Sequence, residues 1–410
     1  MSSLTVTLIL FSLLLLLLFL NVPLVVSIGL PTALIMLGSG MKVATLAQRT
    51  YASVDSFTLM AIPFFMLAGK LMEVGGMSKR IVRLADCLVG WMAGGLAHVI
   101  VVASAFFGAL SGSAAATTAA IGSTLIPEMK KRGYPADFVA GIQAVAGALG
   151  VIIPPSITMI MYGVCSSTSI GKLFMAGIVP GIVLALFLMV TIAYQAKKRK
   201  ISQMNTFTFK ELGTAFLDAI PALLVPTIIL GGIYGGIFTP TEAGAVAATY
   251  GFLAGAFWYK EINLQNIGNI MGGAIVNTVL VMIVVGASGA FSWLLTSAGV
   301  SSLLGKAISA IAGNKYIFLL VANLIFIFIG MFIESVAGIL IVTPILLPIA
   351  TSLGVDPVHF GIIMVVNLAL GLTTPPVGEN QYIAAAIAEI PFEEEVKASI
   401  PFLIAGFAAL

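Results

Sequence analysis

Pro154-Pro155 and Pro375-Pro376 are the only Pro-Pro dipeptides in this 410-residue chain, and each follows a glycine by four residues, Gly150 and Gly371, inside apolar sequence. Proline deletes a backbone donor and clashes with the preceding helical turn, so each dipeptide breaks a helix and leaves carbonyls without helical partners. In hydrocarbon such groups persist only where protein or a watery cavity covers them. Segments 150–156 and 371–378 are therefore predicted to be buried, with carbonyl oxygens available to a cation. Short hydroxyl-bearing stretches supply complementary ligands: Ser111, Ser113 and Thr117 ahead of the first break, Glu334 and Ser335 ahead of the second. Oxygen donors of this kind suit a weakly held hard cation such as sodium, and the positive N-terminal ends of half-helices suit an acidic substrate. Two Na+ sites are predicted, one from Ser111, Ser113, Gly150, Pro154 and Pro155, the other from Glu334, Ser335, Gly371, Thr374, Pro375 and Gly378. Candidate substrate contacts are Ser113, Thr117, Ser156, Ser335, Glu379 and Asn380. Glu334 has two readings: an acid within apolar sequence is a functional candidate, and it also stands where it can cap the following helix.

The elements that position these residues follow from composition and symmetry. A chain that is 60% hydrophobic and 9% charged, with a mean hydropathy of +1.14, belongs in a bilayer rather than in water. The breaks lie 221 residues apart, and shifts of 221 to 223 residues keep producing matches between the halves. Gly76 and Ser78 match Gly299 and Ser301, Gly90 matches Gly313, Gly108 and Ser113 match Gly330 and Ser335, and Pro135 and Phe138 match Pro357 and Phe360. A near-complete duplication follows, with repeat one over 1–196, a polar linker over 197–212 and repeat two over 213–410. Crossings in the first half fit 4–20, 24–39, 56–74, 136–165 (broken at Pro154-Pro155) and 173–195. Between the third and fourth, an amphipathic stretch at 78–88 precedes two apolar arms, 91–110 and 114–129, which meet at Ser111-Gly112-Ser113. A small-residue tip with a short second arm reads as a re-entrant hairpin. The expected fold class is an all-α polytopic membrane protein of two inverted repeats, each with about five transmembrane helices, one of them broken, and one re-entrant hairpin.

Basic residues gather on the cytoplasmic side of short loops. With the linker inside, Lys79, Arg80, Arg83, Lys130, Lys131, Arg132, Lys210, Lys260, Lys397 and the 197–200 cluster fall on that side. Lys42, Arg49, Lys172, Lys306 and Lys315 fall outside, and Lys70, near the end of a span, reads as a snorkelling side chain. The N-terminus is then outside. Thr239-Pro240-Thr241-Glu242-Ala243 reads as a helix start, with Thr241 opening the helix and Glu242 favouring its dipole. The last apolar stretch, 400–410, is shorter than its first-half counterpart. Cys87 and Cys165 have neither a CxxC pattern nor a His partner, which argues against a metal centre or a disulfide. No P-loop, HExxH or GxSxG motif occurs, so ATP hydrolysis and intramembrane proteolysis have no carrier residues. An ion gradient or a partner is the expected energy source, and the chain reads as a secondary transporter rather than an enzyme.

Four segments together are highly specific. They are Phe106-Phe107-Gly108-Ala109-Leu110-Ser111-Gly112-Ser113, the run from Gly133-Tyr134-Pro135 to Gly150-Val151-Ile152-Ile153-Pro154-Pro155-Ser156, the Thr239–Ala243 segment, and Gly371-Leu372-Thr373-Thr374-Pro375-Pro376-Val377-Gly378. Along the whole chain the sequence resembles the large membrane subunit of tripartite ATP-independent periplasmic (TRAP) transporters. That resemblance implies a bacterial inner-membrane importer, coupled to Na+, that takes an organic acid of the sialic acid or C4-dicarboxylate class from a periplasmic substrate-binding protein. A small four-helix membrane subunit is the further implied partner; nucleic acid is not. The resemblance also implies an elevator, with scaffold helices over about 1–90 and 213–312 and a transport part over about 91–195 and 313–410. In that frame the stretches 78–88 and 301–312 brace the mobile part. A stand-alone sodium/dicarboxylate symporter needing no binding protein is the alternative, and a channel is a third.

Overall fold

Apolar runs punctuated by Gly, Pro and Ser-Gly dictate helices with abrupt ends. The computed structural model describes residues 2–20, 22–201, 207–300, 303 and 314–410, and the regular elements among them are all helical. Among the described residues, four helices are long and apolar enough to cross a membrane: Ile170–Lys198, Phe209–Tyr234, Ile267–Ser297 and Ser335–Ser352. Two bent pairs, Val43–Val54 with Thr58–Val74 at 62° and Ala136–Ile152 with Ile157–Ser166 at 43°, bring that to six, and shorter apolar helices such as Ser3–Phe19 and Leu24–Gly38 accompany them. This is a multi-pass membrane protein.

The same order of elements occurs in each half. A helical hairpin, Leu96–Ser111 with Ala114–Lys131, precedes a helix broken between Ile152 and Ile157 and the closing helix Ile170–Lys198. Its counterpart runs from Lys315–Gly330 with Ser335–Ser352, through Pro357–Gly371 and Glu379–Ala388, to Phe392–Ala409. Packing between the halves is reciprocal. The second arm of the first hairpin lies on Glu379–Ala388, and the second arm of the second hairpin lies on Ile157–Ser166. Tyr162 fastens one such contact by donating its hydroxyl to Pro357 O at 2.6 Å. Around this core, Ala61–Val74 packs against Pro240–Leu253 and Ile267–Ser297.

Local chemistry sets several boundaries differently from the sequence reading. Val43–Val54, where no element was expected, is a helix with no buried residue that meets the next one at a sharp bend. Phe392–Ala409 begins well ahead of residue 400: Pro391 opens it, and Glu393, Glu394 and Glu395 fill its first turn. Carboxylates there favour the helix dipole while hiding the helix from an apolar count. The cap of Pro240–Leu253 is Thr239 rather than Thr241, because Pro240 takes the first helical position. Thr239 Oγ1 accepts from Glu242 N at 3.3 Å and the Glu242 carboxylate accepts from Thr239 N at 2.8 Å, while Thr241 donates to Phe57 O at 3.0 Å across a helix boundary. The first amphipathic stretch is the helix Met77–Val89. Its expected counterpart at 301–312 lies outside the described residues apart from Leu303, as does the centre of the linker, 202–206.

Candidate functional site

Each break rests on a glycine-to-glycine contact that leaves no room for a side chain. A Cβ at Gly108 would stand 2.9 Å from Gly150 Cα, and a Cβ at Gly330 would stand 2.9 Å from Gly371 Cα. The first arm of each hairpin therefore touches the last helical turn before its own break. Both Pro-Pro bonds are cis. At the first break the backbone of Gly150 also abuts the Ser113 carbonyl and Thr117 Oγ1. Thr117 Oγ1 donates to Ser113 O at 2.8 Å and lies 3.0 Å from Ser111 Oγ. Gly112, in the left-handed region at φ 63°, turns the hairpin, and its carbonyl accepts from Ile157 N at 3.4 Å beyond Pro154-Pro155. Ser111, Ser113, Gly150 and the Pro154-Pro155 segment thus converge, with Thr117 tying the tip together.

The second break shares the glycine contact but carries different side chains, bonded within the break or within the tip. Thr374 closes on its own turn, donating Oγ1 to Leu370 O at 2.8 Å and N to Gly371 O at 2.9 Å. Gly378, left-handed at φ 55°, leads into the second half-helix, and Asn380 N reaches back across Pro375 to Leu372 O at 3.1 Å. Glu334 Oε2 accepts from Val336 N at 2.9 Å and from Ala337 N at 3.4 Å, so it caps the second arm. Ser335 is fully buried, and its Oγ has no hydrogen-bond partner. Ser104 and Ser288 carry buried hydroxyls in the same condition elsewhere in the fold.

A cavity of about 450 Å3 lies between the tips, the breaks and the outer helices, within the size range of small-molecule sites. Ser113, Thr158, Glu334 and Glu379 face it from the hairpin tips and half-helices; Lys70, Glu73 and Asn277 face it from Ala61–Val74 and Ile267–Ser297. Thr117, Ser156, Ser335 and Asn380 are fully buried and do not line it. Ser156 caps Ile157–Ser166 by accepting from Met159 N at 3.3 Å, and Asn380 donates Nδ2 to Ala144 O at 3.2 Å. Lys70 pairs with Glu73 at 3.0 Å on the cavity wall. The sequence carried a signal for both, since two opposite charges three residues apart inside an apolar run are a functional flag.

Away from the cavity, Met77–Val89 lies against both the first hairpin arm and Phe209–Tyr234. Arg80 reaches Glu261 Oε1 at 2.5 Å and stacks over Tyr259 at 4.3 Å, and Lys79 reaches Glu261 Oε2 at 3.1 Å. Partial burial raises the Glu261 carboxyl, but hydrogen bonds and charge from Arg80 and Lys79 outweigh it and hold the group below its ordinary value.

Residues 8–410 match the family described as Tripartite ATP-independent periplasmic transporter, DctM component. The chain belongs to this family. A TRAP large permease of this kind is one component of a tripartite transporter. Among its relatives, the C4-dicarboxylate TRAP transporter large permease protein DctM of Pseudomonas aeruginosa is 42% identical over 92% of this chain and 89% of its own. The isethionate TRAP transporter permease protein DctMQ of Oleidesulfovibrio alaskensis is 43% identical over 95% of this chain and 62% of its own. The sialic acid TRAP transporter large permease protein SiaM of Vibrio cholerae is 37% identical over 89% and 85%. The crystal structure of the Alcanivorax borkumensis YdaH transporter shares the fold, with a TM-score of 0.65 over 89% of this chain and 85% of that one at 14% identity.

Proposed function

We propose that this TRAP large permease imports a small organic anion across the bacterial inner membrane, driven by sodium and supplied by a periplasmic binding protein, with a small membrane subunit as its partner. The observation that carries the proposal is the cavity enclosed by two equivalent hairpin tips and two equivalent helix breaks. Relatives named for C4-dicarboxylate, isethionate, 2,3-diketo-L-gulonate and sialic acid have acidic cargo in common. One sodium is assigned to Ser111, Ser113, Gly150 and the Pro154-Pro155 segment. The other is assigned to the neighbourhood of Ser335, Gly371, Thr374, Pro375 and Gly378, where the unpartnered Ser335 hydroxyl supplies a ready ligand and Glu334 balances charge. Ser113 and Glu379 are the substrate contacts retained on the cavity wall; Thr117, Ser156 and Asn380 support the shell behind it. Reciprocal packing of the halves supports an inverted-repeat arrangement, in which hairpins and broken helices move as one body against the outer helices while Met77–Val89 braces them.

Sodium and substrate must each favour the other's bound state, since coupling is reciprocal. Ser113→Ala and Ser335→Ala are expected to weaken the sodium response of reconstituted uptake, while Ser169→Ala, which removes a helix cap remote from the cavity, leaves it unchanged. Retention of the wild-type sodium response in both site variants would overturn the paired-site assignment. A stand-alone symporter differs in one respect: it takes up anion with no binding protein present.

A further inference from the structure

Among the described residues that wall the cavity, Lys70 is the one cation, set against the carboxylates of Glu73, Glu334 and Glu379. It belongs to the outer helix Ala61–Val74, whereas Ser113, Glu334 and Glu379 line the cavity from tip and break segments. Two glycines lie close to it. Gly69 lets the helix lie against the first tip, a Cβ there coming 3.3 Å from Ser111 Cα. Gly273 on the neighbouring helix lies beside the Lys70 stem, Cε lying 3.4 Å from where the Cβ of Gly273 would stand. Lys70 Nζ holds Glu73 Oε2 at 3.0 Å with both side chains about one-third accessible, 31% and 33%.

Helix chemistry argues against Glu73 as a stabilising partner. It occupies the last turn of Ala61–Val74, at the negative end of the dipole, where a carboxylate is disfavoured. Lys ahead of Glu along a helix is also the weaker order for such a pair. A partly accessible pair adds little to stability, so an incoming carboxylate or sulfonate displaces Glu73 readily. An anion that passes Glu334 and Glu379 meets no other positive side chain on this wall.

Resting on the transport function proposed above, we infer that Lys70 recognises the acid group of the substrate and that Glu73 is its placeholder. The substrate anion takes Lys70 from Glu73, and Glu73 takes it back when the substrate departs. No covalent bond changes; one ion pair replaces another. Because Lys70 stands on an outer helix, it holds the substrate only while the tips face that helix, and the exchange releases the substrate without leaving a bare ammonium in the cavity.

The test uses the complete transporter, this chain with its small subunit and binding protein, in proteoliposomes under a fixed sodium gradient, with radiolabelled succinate and sialic acid as probes. Truncating one partner of a charged contact to substrate is expected to raise KM about 30-fold or more in Lys70→Gln. Lys70→Arg, which keeps the charge on a different geometry, is expected to stay within about tenfold of wild type. Glu73→Gln removes the competitor and is expected to lower KM about threefold while slowing turnover. A merely structural ion pair would move Lys70→Gln and Glu73→Gln in the same direction. Parallel shifts, or a wild-type KM in Lys70→Gln, overturn the inference. Should Lys70→Gln fail a thermal-unfolding check, Glu73→Gln decides alone, and a KM unchanged or raised there refutes the placeholder. Wild-type protein that moves neither these probes nor isethionate and 2,3-diketo-L-gulonate under a sodium gradient sinks the transport proposal itself, whereas sodium-driven uptake indifferent to Lys70→Gln sinks only this inference.

Discussion

Gly150 is the position at which one added methyl group tests the sodium assignment most sharply. Its Cβ would meet the Ser113 carbonyl oxygen and Thr117 Oγ1, with Ser113 C at 2.9 Å. Ser113 O is backbone, and Thr117 Oγ1 is held by its own hydrogen bond to that same carbonyl, so neither gives way cheaply. Overpacking of this kind costs about 1–3 kcal/mol. If the strain falls on the closed, ion-loaded tip, it weakens sodium binding by about 5- to 150-fold. Gly150→Ala is therefore expected to shift the sodium half-saturation of uptake upward by at least that lower factor, with proportionate loss of sodium-induced thermal stabilisation. Gly213→Ala is the matched control. No atom lies within 4 Å of its Cβ, and replacing an exposed helical glycine stabilises by up to about 1 kcal/mol. An unchanged sodium half-saturation in Gly150→Ala, alongside intact folding, would refute the claim that this glycine seats the tip on an ion site.

Glu261 makes the bracing helix acid-sensitive. Its folded carboxyl lies below the ordinary value, so its contribution is complete above the ordinary carboxylate range and is lost as pH falls through the lowered value. Glu261→Gln is expected to flatten that acid limb in a melting-temperature profile, with an effect of about 1 kcal/mol or less for a partly exposed pair; an unchanged acid limb would count against it. Thr239→Ala removes a capping box and is expected to cost about 1 kcal/mol, read by denaturant unfolding in detergent, with Thr241→Ala acting separately through its bond to Phe57 O. Tyr162→Phe removes the side-chain donor that Pro357 O accepts beside its own helical bond and is expected to cost about 0.5–1.5 kcal/mol; a neutral result would mean that this contact does not fasten the two halves.

The breaks and tips are legible in the sequence because they depend on local chemistry: Pro-Pro forbids a continuous helix, and Ser111-Gly112-Ser113 offers a turn and a cap in three residues. Met77–Val89 is legible from its periodicity. Other features are set by partners far along the chain. That Gly108 meets Gly150 and Gly330 meets Gly371 is foreshadowed only by their parallel positions in the two halves, since a small residue announces a close approach but not its target. Phe392 hides as a helix start because three glutamates follow it, and Val43–Val54 hides because it buries nothing. Thr117, Ser156 and Asn380 lie close in sequence to the tips and breaks, yet capping and backbone bonding turn them inward. Lys70 and Glu73 join the site only because Ala61–Val74 folds across the tips.

The most direct test of the central claim is radiolabelled anion uptake into proteoliposomes that hold this chain with its small subunit, with and without an imposed sodium gradient and with and without a panel of binding proteins. Saturable uptake that requires both sodium and a binding protein is the predicted result. Uptake that proceeds with a binding protein but without a sodium gradient, or flux that never saturates, would contradict a sodium-coupled tripartite importer.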